Sequence, residues 1–128
     1  MAPHARPISP HLEIYRFTLT MAMSIVHRIT GVANYVGTLL LVAWLGAAAL
    51  GGDAFALVNG IFGSWIGQVV LFGYTWSLFH HMLGGVKHFI WDAGRLLDPV
   101  GREQLVRWQV ITSLVLTLGA WALFVWVR

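Results

Sequence analysis

The stretch "ITGVANYVGTLLLVAWLGAAALGG", residues 29–52, contains no Asp, Glu, Lys or Arg. A helix rises about 1.5 Å per residue and the hydrocarbon core of a bilayer is about 30 Å thick, so about 20 such residues cross it. Two further stretches, 54–86 and 108–127, are also uncharged. The pattern predicts an all-α integral membrane protein with three transmembrane helices at roughly 22–52, 64–91 and 106–127, forming one domain over residues 1–128.

Composition supports this interpretation over a soluble three-helix domain. Hydrophobic residues make up 58% of the chain and charged residues 10%, whereas soluble helices need a polar face at helical period. The second uncharged stretch is longer than one crossing requires, and Asn59, Gly60 and Gly63 near its start indicate a loop or interfacial turn. The polar, proline-bearing start of the chain predicts a short N-terminal arm rather than a signal peptide.

Basic residues predict the orientation of the helices. Arginines 6, 16 and 28 precede the first helix, and the first connection carries only Asp53. The second connection is flanked by Lys87, Arg95, Arg102 and Arg107. Because cytoplasmic segments carry an excess of Lys and Arg, the N-terminus is expected on the cytoplasmic or matrix side. This distribution accounts for the net charge of +3, so no nucleic-acid partner is expected.

The chain contains no cysteine. It therefore holds no thiolate-ligated iron–sulfur cluster, no covalently attached haem and no disulfide. Any haem is expected to bind noncovalently, and electrons from a cluster must come from another subunit.

The first helix begins with a polar motif, "MSIVHRITG", residues 23–31. Ser24, His27 and Arg28 are spaced i, i+3 and i+4 and share one helical face. A hydroxyl and a guanidinium at the membrane edge are suitable donors to a quinone carbonyl. Alternatively, Arg28 serves as a topological anchor and Ser24 as a cap or backbone contact.

The second helix ends in "SLFHHMLGGVKHFIWDAG", residues 77–94. His81, Gly84, Gly85 and His88 form one stripe at i, i+3, i+4 and i+7. Neutral imidazole is a good axial ligand for haem iron, and the glycines allow a flat group or another backbone to approach. Haem propionates need cations or donors, which His27, Arg28, Lys87 and His88 supply at the basic end. The alternatives are a histidine that hydrogen-bonds across a helix interface and ordinary small-residue packing.

Three segments, "RPISPHLEIYR", "MAMSIVHRITG" and "HHMLGGVKHFIWD", together resemble the cytochrome b anchor subunits of succinate dehydrogenase, respiratory complex II, of the alphaproteobacterial and mitochondrial type. The resemblance implies a bacterial inner-membrane protein, or a mitochondrial inner-membrane protein in a eukaryote. Its implied partners are a second membrane anchor, an iron–sulfur subunit, a flavoprotein subunit and the lipid bilayer. Its implied activity passes electrons to ubiquinone beside a b-type haem that the two anchors share.

The resemblance also implies roles for individual residues. It assigns the haem axial ligand to His81 rather than His80, with the other axial histidine in the second anchor. It assigns quinone binding to Ser24 and Arg28, and the propionate side to His27. Lys87 stands where the family has arginine, which leaves a propionate role at this position open because lysine lacks the planar two-pronged donor.

Two other classes of function stay open on the residues alone. The first is a haem-free structural anchor that binds quinone and assembles the complex. The second is a small transporter or proton-pathway subunit, although such a subunit usually carries acidic groups within its spans, and these spans have none.

Overall fold

The computed structural model describes residues 16–127, which form four helices. They are α1 (Leu19–Leu50), α2 (Gly52–Gly63), α3 (Trp65–Asp92) and α4 (Pro99–Val127). The predicted N-terminal arm, with Arg6 and Tyr15, lies outside the described residues, as does Arg128. The described part of the chain is helical, as predicted.

Helix α3 lies at the centre of the bundle and packs on both α1 and α4. Close crossings depend on small residues: a Cβ added at Gly37 of α1 would overlap the ring of Tyr74 on α3. Ser77 of α3 adds a hydrogen bond across the same interface, because its hydroxyl donates to Asn34 Oδ1 at 2.7 Å. The position of α3 means that its side chains face two different neighbours.

Buried positions are mostly polar, and large apolar side chains lie outside. Among the described residues the buried polar or charged set is Thr30, Ser77, His80, Lys87, Gln109, Ser113 and Thr117, whereas the buried hydrophobic set is Ala47 and Val106. Every helix carries exposed large apolar side chains, such as Leu39, Ile61, Val69 and Val115. A soluble domain has the reverse distribution, so the structure favours lipid as the surrounding solvent.

Helices α1 and α4 are each long and apolar enough to cross a membrane. Helix α1 has 32 residues, a length of about 48 Å at the standard rise. Helices α2 and α3 meet the same criterion only as a pair, and they are bent by 75° at their junction. Two spans, or three with the bent pair, are therefore compatible with the helices.

The loop predicted around Asn59, Gly60 and Gly63 is wrong, because these residues belong to α2. Positive φ angles at Gly51 (68°) and Gly52 (54°) turn the chain out of α1. Asp53 then lies in the first turn of α2, where a negative charge interacts favourably with the helix dipole. Packing of α2 on α1 and α3 outweighs the roughly 1 kcal/mol that each interior glycine costs a helix.

Helix α4 begins at Pro99, earlier than the predicted start at 106. Asp98 caps this end: its Oδ2 accepts a hydrogen bond from the backbone N–H of Gly101 at 2.9 Å. Proline at the first helical position has no N–H to leave unpaired. The charges at Arg102 and Glu103 therefore lie in the helix rather than in the predicted loop.

Candidate functional site: a histidine cluster at the basic end

Helices α1 and α3 bring together three of the predicted site histidines, His27, His81 and His88, which we term the histidine cluster. The rings of His27 and His81 stack with centroids 4.0 Å apart and an interplanar angle of 4°. The ring of His88 lies 5.5 Å from that of His27 in a tilted arrangement. Residues more than 50 positions apart in the chain thus form one group of imidazoles.

The hydrogen bonds of His81 define which of its ring nitrogens is free. Its Nδ1 lies 3.1 Å from the carbonyl oxygen of His27, which also accepts the hydroxyl proton of Thr30 at 2.9 Å. Since a carbonyl only accepts, this network assigns the ring proton to Nδ1. No described residue hydrogen-bonds Nε2. The lone pair of Nε2 is therefore available to a ligand.

The two adjacent glycines of α3 have different surroundings. A Cβ at Gly84 would overlap the His27 ring and lie 3.1 Å from Gln109 Nε2, whereas a Cβ at Gly85 would meet no described atom within 4 Å. On α1, a Cβ at Gly31 would lie 3.1 Å from Cε1 of His81. Gly84 therefore serves close helix packing, and only Gly85 retains open space beside the cluster.

His80, the neighbour of His81, faces the opposite side of α3 and is fully buried. Its Nδ1–H donates to Ser113 Oγ at 3.4 Å, and the side-chain amide of Gln109 donates to both His80 Nε2 and the His80 carbonyl, each at 3.1 Å. Both ring nitrogens of His80 are therefore engaged in hydrogen bonds between α3 and α4, and neither is free for a ligand. The assignment of the ligand role to His81 rather than to His80 stays a prediction.

Sequence reasoning missed Gln109, Ser113 and Thr30. A signal for the first two was present, since Gln109, Ser113 and Thr117 are spaced i, i+4 and i+8 in an otherwise apolar helix and all three are buried. Such spacing places them on one stripe. Thr30 had no comparable signal, because its contact with His81 depends on how α1 crosses α3.

The cationic and hydroxyl candidates of the basic end differ in their exposure. Ser24, Arg28 and His88 are exposed on the bundle surface. Lys87 differs, since it is only 3% exposed and its Nζ lies 4.9 Å from the centroid of the Trp91 ring. Its ammonium is therefore engaged in a cation–π contact, while Arg28 and His88 remain accessible from outside the chain.

Buried polar atoms without partners mark the same region. Within residues 16–127, Nδ1 of His27 and Oε1 of Gln109 are buried and form no hydrogen bond. The described part of the chain contains no group of three or more His, Cys, Asp or Glu side chains arranged to hold a metal ion.

Apolar helices around a polar interior define a membrane subunit. The family model for the succinate dehydrogenase/fumarate reductase transmembrane subunit matches residues 2–120, and the chain belongs to this family. Membership confirms the resemblance seen in the three motifs. With the apolar helices, it confirms the predicted location in a bacterial or mitochondrial inner membrane.

Several relatives carry a cytochrome b name. The chain is 44% identical over 93 residues to the succinate dehydrogenase cytochrome b556 subunit of Paracoccus denitrificans, covering 73% of this chain and 72% of that protein. It is 30% identical over 117 residues to the subunit of the same name from Rickettsia felis, covering 91% and 90%. The mitochondrial cytochrome b560 subunit of Sus scrofa is 38% identical over 94 residues, which cover 70% of this chain and 54% of the pig protein.

Proposed function

We propose that this chain is the cytochrome b anchor subunit of a succinate:ubiquinone oxidoreductase. It pairs with a second membrane anchor and holds the iron–sulfur and flavoprotein subunits at the membrane. It supplies one axial ligand of a haem b and part of the ubiquinone site, through which electrons from the iron–sulfur subunit reach quinone. Succinate itself is oxidised elsewhere in the complex.

The free Nε2 of His81 is the observation that carries the haem assignment. Metal-ligating histidines usually donate their other ring N–H to a carbonyl or carboxylate, which fixes the tautomer and the ring orientation. In this chain the His27 carbonyl, 3.1 Å from His81 Nδ1, supplies that partner. The donor set therefore fits a haem held by one imidazole from this chain and one from the second anchor.

Other residues of the basic end suit the haem periphery. His27, with its buried and unpartnered Nδ1, and the exposed Arg28 and His88 would hold the propionates. Lys87 is engaged with Trp91 and is not assigned to a propionate. When bound, haem b supplies one-electron redox chemistry without an open coordination position.

A substitution at His81 tests the haem ligand in the assembled, purified complex. We expect His81→Leu to abolish the b-type bands of the reduced-minus-oxidised spectrum, and His81→Met to restore haem with altered bands because thioether is an alternative axial ligand. His80→Gln is the matched control and should retain the native bands. Native bands in His81→Leu, at normal subunit content, would exclude His81 as the ligand.

Ser24 and Arg28 are proposed to bind ubiquinone. Both side chains are exposed at the basic end, one helical turn apart on α1, where they can donate hydrogen bonds to a quinone carbonyl. In the complex, Ser24→Ala and Arg28→Ala should each slow succinate:quinone reductase activity by about 10²-fold, the lower range for loss of one such donor. Electron transfer from succinate to an artificial acceptor should stay normal.

A matched control separates this role from general charge effects. Arg102 is an exposed arginine at the start of α4, and Arg102→Ala should leave quinone reduction unchanged. Equal losses in Arg28→Ala and Arg102→Ala would exclude a specific quinone contact. Unchanged quinone kinetics in Ser24→Ala and Arg28→Ala would exclude the proposed site.

The proposed topology has three spans, with the N-terminus on the cytoplasmic or matrix side. It rests on the several basic residues near His27 and His88, against only Asp53 in the first connection and Arg128 after the last helix. Because the chain lacks cysteine, single cysteines introduced at Asp53 and Arg95 can be labelled with a membrane-impermeant maleimide. Labelling of both positions from the same side of the membrane would contradict this topology.

A further inference from the structure

Helix α2 packs at the end of the bundle opposite the histidine cluster. The ring centroid of Phe55 lies 6.2 Å from that of Trp44, in the second half of α1, and Phe62 lines a common cavity with Phe124, near the end of α4. Helix α4 is long and apolar enough to cross a membrane, so its two ends mark the two membrane boundaries. Helix α2 therefore lies at the level of the boundary opposite the histidine cluster.

Helix α3 can cross the bilayer without a contribution from α2. Its 28 residues extend over about 42 Å at the standard rise, which exceeds the hydrocarbon thickness of about 30 Å. The polar side chains of Ser77, His80 and Lys87 make α3 less apolar, but all three are buried within the bundle and face no lipid. A span that starts at α3 thus leaves α2 outside the crossing.

The direction of α2 differs from that of α3 by 75°. Ser64 fixes this bend, since its Oγ accepts the backbone N–H of Gly67 at 3.2 Å and caps α3. A Cβ at Gly67 would overlap the carbonyl oxygen of Ile61, so the two helices meet at close range. Membrane helices tilt by about 20° on average, and α2 then runs mainly along the membrane plane. Its 12 residues extend over only about 18 Å, too little to cross the bilayer.

The exposed surface of α2 has two parts with different chemistry. Leu57 and Ile61, spaced i and i+4, form an apolar edge and are 67% and 56% exposed. Beside this edge, Asp53, Ala56 and Gly60 form an exposed strip without a large apolar side chain, which we term the Asp53 strip. Helices at the boundary between headgroups and acyl chains bury an apolar face and turn a polar face toward water. The surface of α2 has this division.

We propose that α2 lies in the plane of the membrane interface and binds the phospholipids of that leaflet. Leu57 and Ile61 contact the acyl chains, and the Asp53 strip faces the headgroups. Trp65, directly after the bend, is 77% exposed, and tryptophan is enriched at this level of a membrane because its ring is amphipathic. The proposal rests on the proposed three-span topology and is independent of the haem and quinone assignments.

The experiment measures the depth of single nitroxide spin labels on α2 in the complete complex, reconstituted in phosphatidylcholine vesicles. This chain has no cysteine, so labels are attached at Leu57→Cys and Ile61→Cys on the apolar edge and at Ala56→Cys and Gly60→Cys on the Asp53 strip. The complex without an introduced cysteine gives the background from the other subunits. Dissolved oxygen should relax the labels at Leu57 and Ile61 several-fold more than a water-soluble nickel chelate does, with the reverse at Ala56 and Gly60.

Other accessibility patterns would overturn the proposal. A steady increase in depth from Ala56 to Ile61 would make α2 the first part of a bent span. Low accessibility to both reagents at all four labels would mean that a protein partner covers α2. Accessibility to the chelate at all four would place α2 in water. The labelling of Asp53 and Arg95 described above tests the three-span topology separately, so the two failures are distinguishable.

A matched pair of substitutions tests the orientation of α2 without a label. Leu57→Asp and Ala56→Asp introduce the same charge at neighbouring exposed positions, with similar losses of helix propensity. Leu57→Asp moves a carboxylate into hydrocarbon, where a charge is costly, and should lower the content of assembled complex in the membrane several-fold. Ala56→Asp should retain the wild-type content. Equal content of the two variants would contradict the proposed orientation.

Discussion

His80 and His81 are adjacent in sequence but belong to two different helix interfaces. His81 faces α1, where its Nδ1 is bonded to a backbone carbonyl and its Nε2 is free. His80 faces α4, where Gln109 and Ser113 engage both of its ring nitrogens. One residue step turns a helical side chain by about 100°. The difference shows that the partners of a membrane histidine, and not its residue type or depth, decide whether one of its ring nitrogens is left free.

The largest expected effect on assembly comes from adding a side chain at Gly84, where α3 packs closely against both His27 of α1 and Gln109 of α4. Gly84→Ala places a methyl group into the His27 ring and against Gln109, whereas Gly85→Ala meets no described atom. Overpacking typically costs about 1–3 kcal/mol, so we expect at least several-fold less assembled complex for Gly84→Ala. Subunit content and b-type bands per milligram of membrane protein measure this. Equal behaviour of the two alanine variants would show that Gly84 is not a packing position.

Gln109→Met should separate helix packing from haem binding. It removes both amide donors from His80 but also removes the unpartnered Gln109 Oε1, so the two changes partly offset each other. Interhelical hydrogen bonds in membranes average roughly 0.6 kcal/mol each, and the gain of about 1–3 kcal/mol from removing an unsatisfied buried acceptor is offset by the similar cost of leaving His80 Nε2 unpaired. We expect a loss of about 1 kcal/mol, seen as a lower Tm of the complex with unchanged haem bands. Loss of haem bands at an unchanged Tm would show that the α3–α4 interface affects haem binding.

Three of the four helices in the described residues were predicted from the sequence, and their contacts only in part. Uncharged stretches predicted α1 and α3 closely, because a charge in hydrocarbon is costly wherever it points. The same logic misplaced the start of α4, since Arg102 and Glu103 lie in the first part of a helix that Asp98 caps. Helix α2 was missed because its glycines and Asn59 resemble a loop when contacts with α1 and α3 are unknown.

At the candidate site, helical spacing predicts which residues of one helix lie on the same stripe. It does not predict which neighbouring helix that stripe contacts. The i, i+4, i+7 spacing aligned His81 with Gly85 and His88, but Gly84 proved to contact His27 and Gln109. Crossing angles depend on side-chain packing along the whole interface. The Thr30 hydroxyl beside His81 is a contact of this kind, and no local pattern marks it.

The Thr30→Val substitution tests the contacts that α1 makes with His81, and its expected effect is the smallest of the three. The Thr30 hydroxyl donates to the His27 carbonyl at 2.9 Å and lies 3.3 Å from His81 Nδ1, so valine removes one of the two groups that fix the ring. Loss of a partner to a ligating histidine usually lowers metal affinity about 10–100-fold. Because the His27 carbonyl still accepts the Nδ1 proton, we expect about a tenfold loss or less, measured as haem-to-subunit ratio on dilution in detergent.

Thr38→Val is the matched control for that measurement, since its hydroxyl donates to the Asn34 carbonyl at 2.8 Å on the same helix, away from the histidines. It removes an equivalent helix-backbone contact and leaves the surroundings of His81 intact. We expect it to retain haem at the wild-type ratio. If both valine variants lose haem equally, the effect belongs to α1 as a helix, and the hydrogen bonds around Nδ1 do not orient His81. If only Thr30→Val loses haem, the hydrogen bonds that α1 makes around Nδ1 keep the His81 ring in the orientation that leaves Nε2 free. His80, whose ring is bonded to α4, does not depend on α1 in this way.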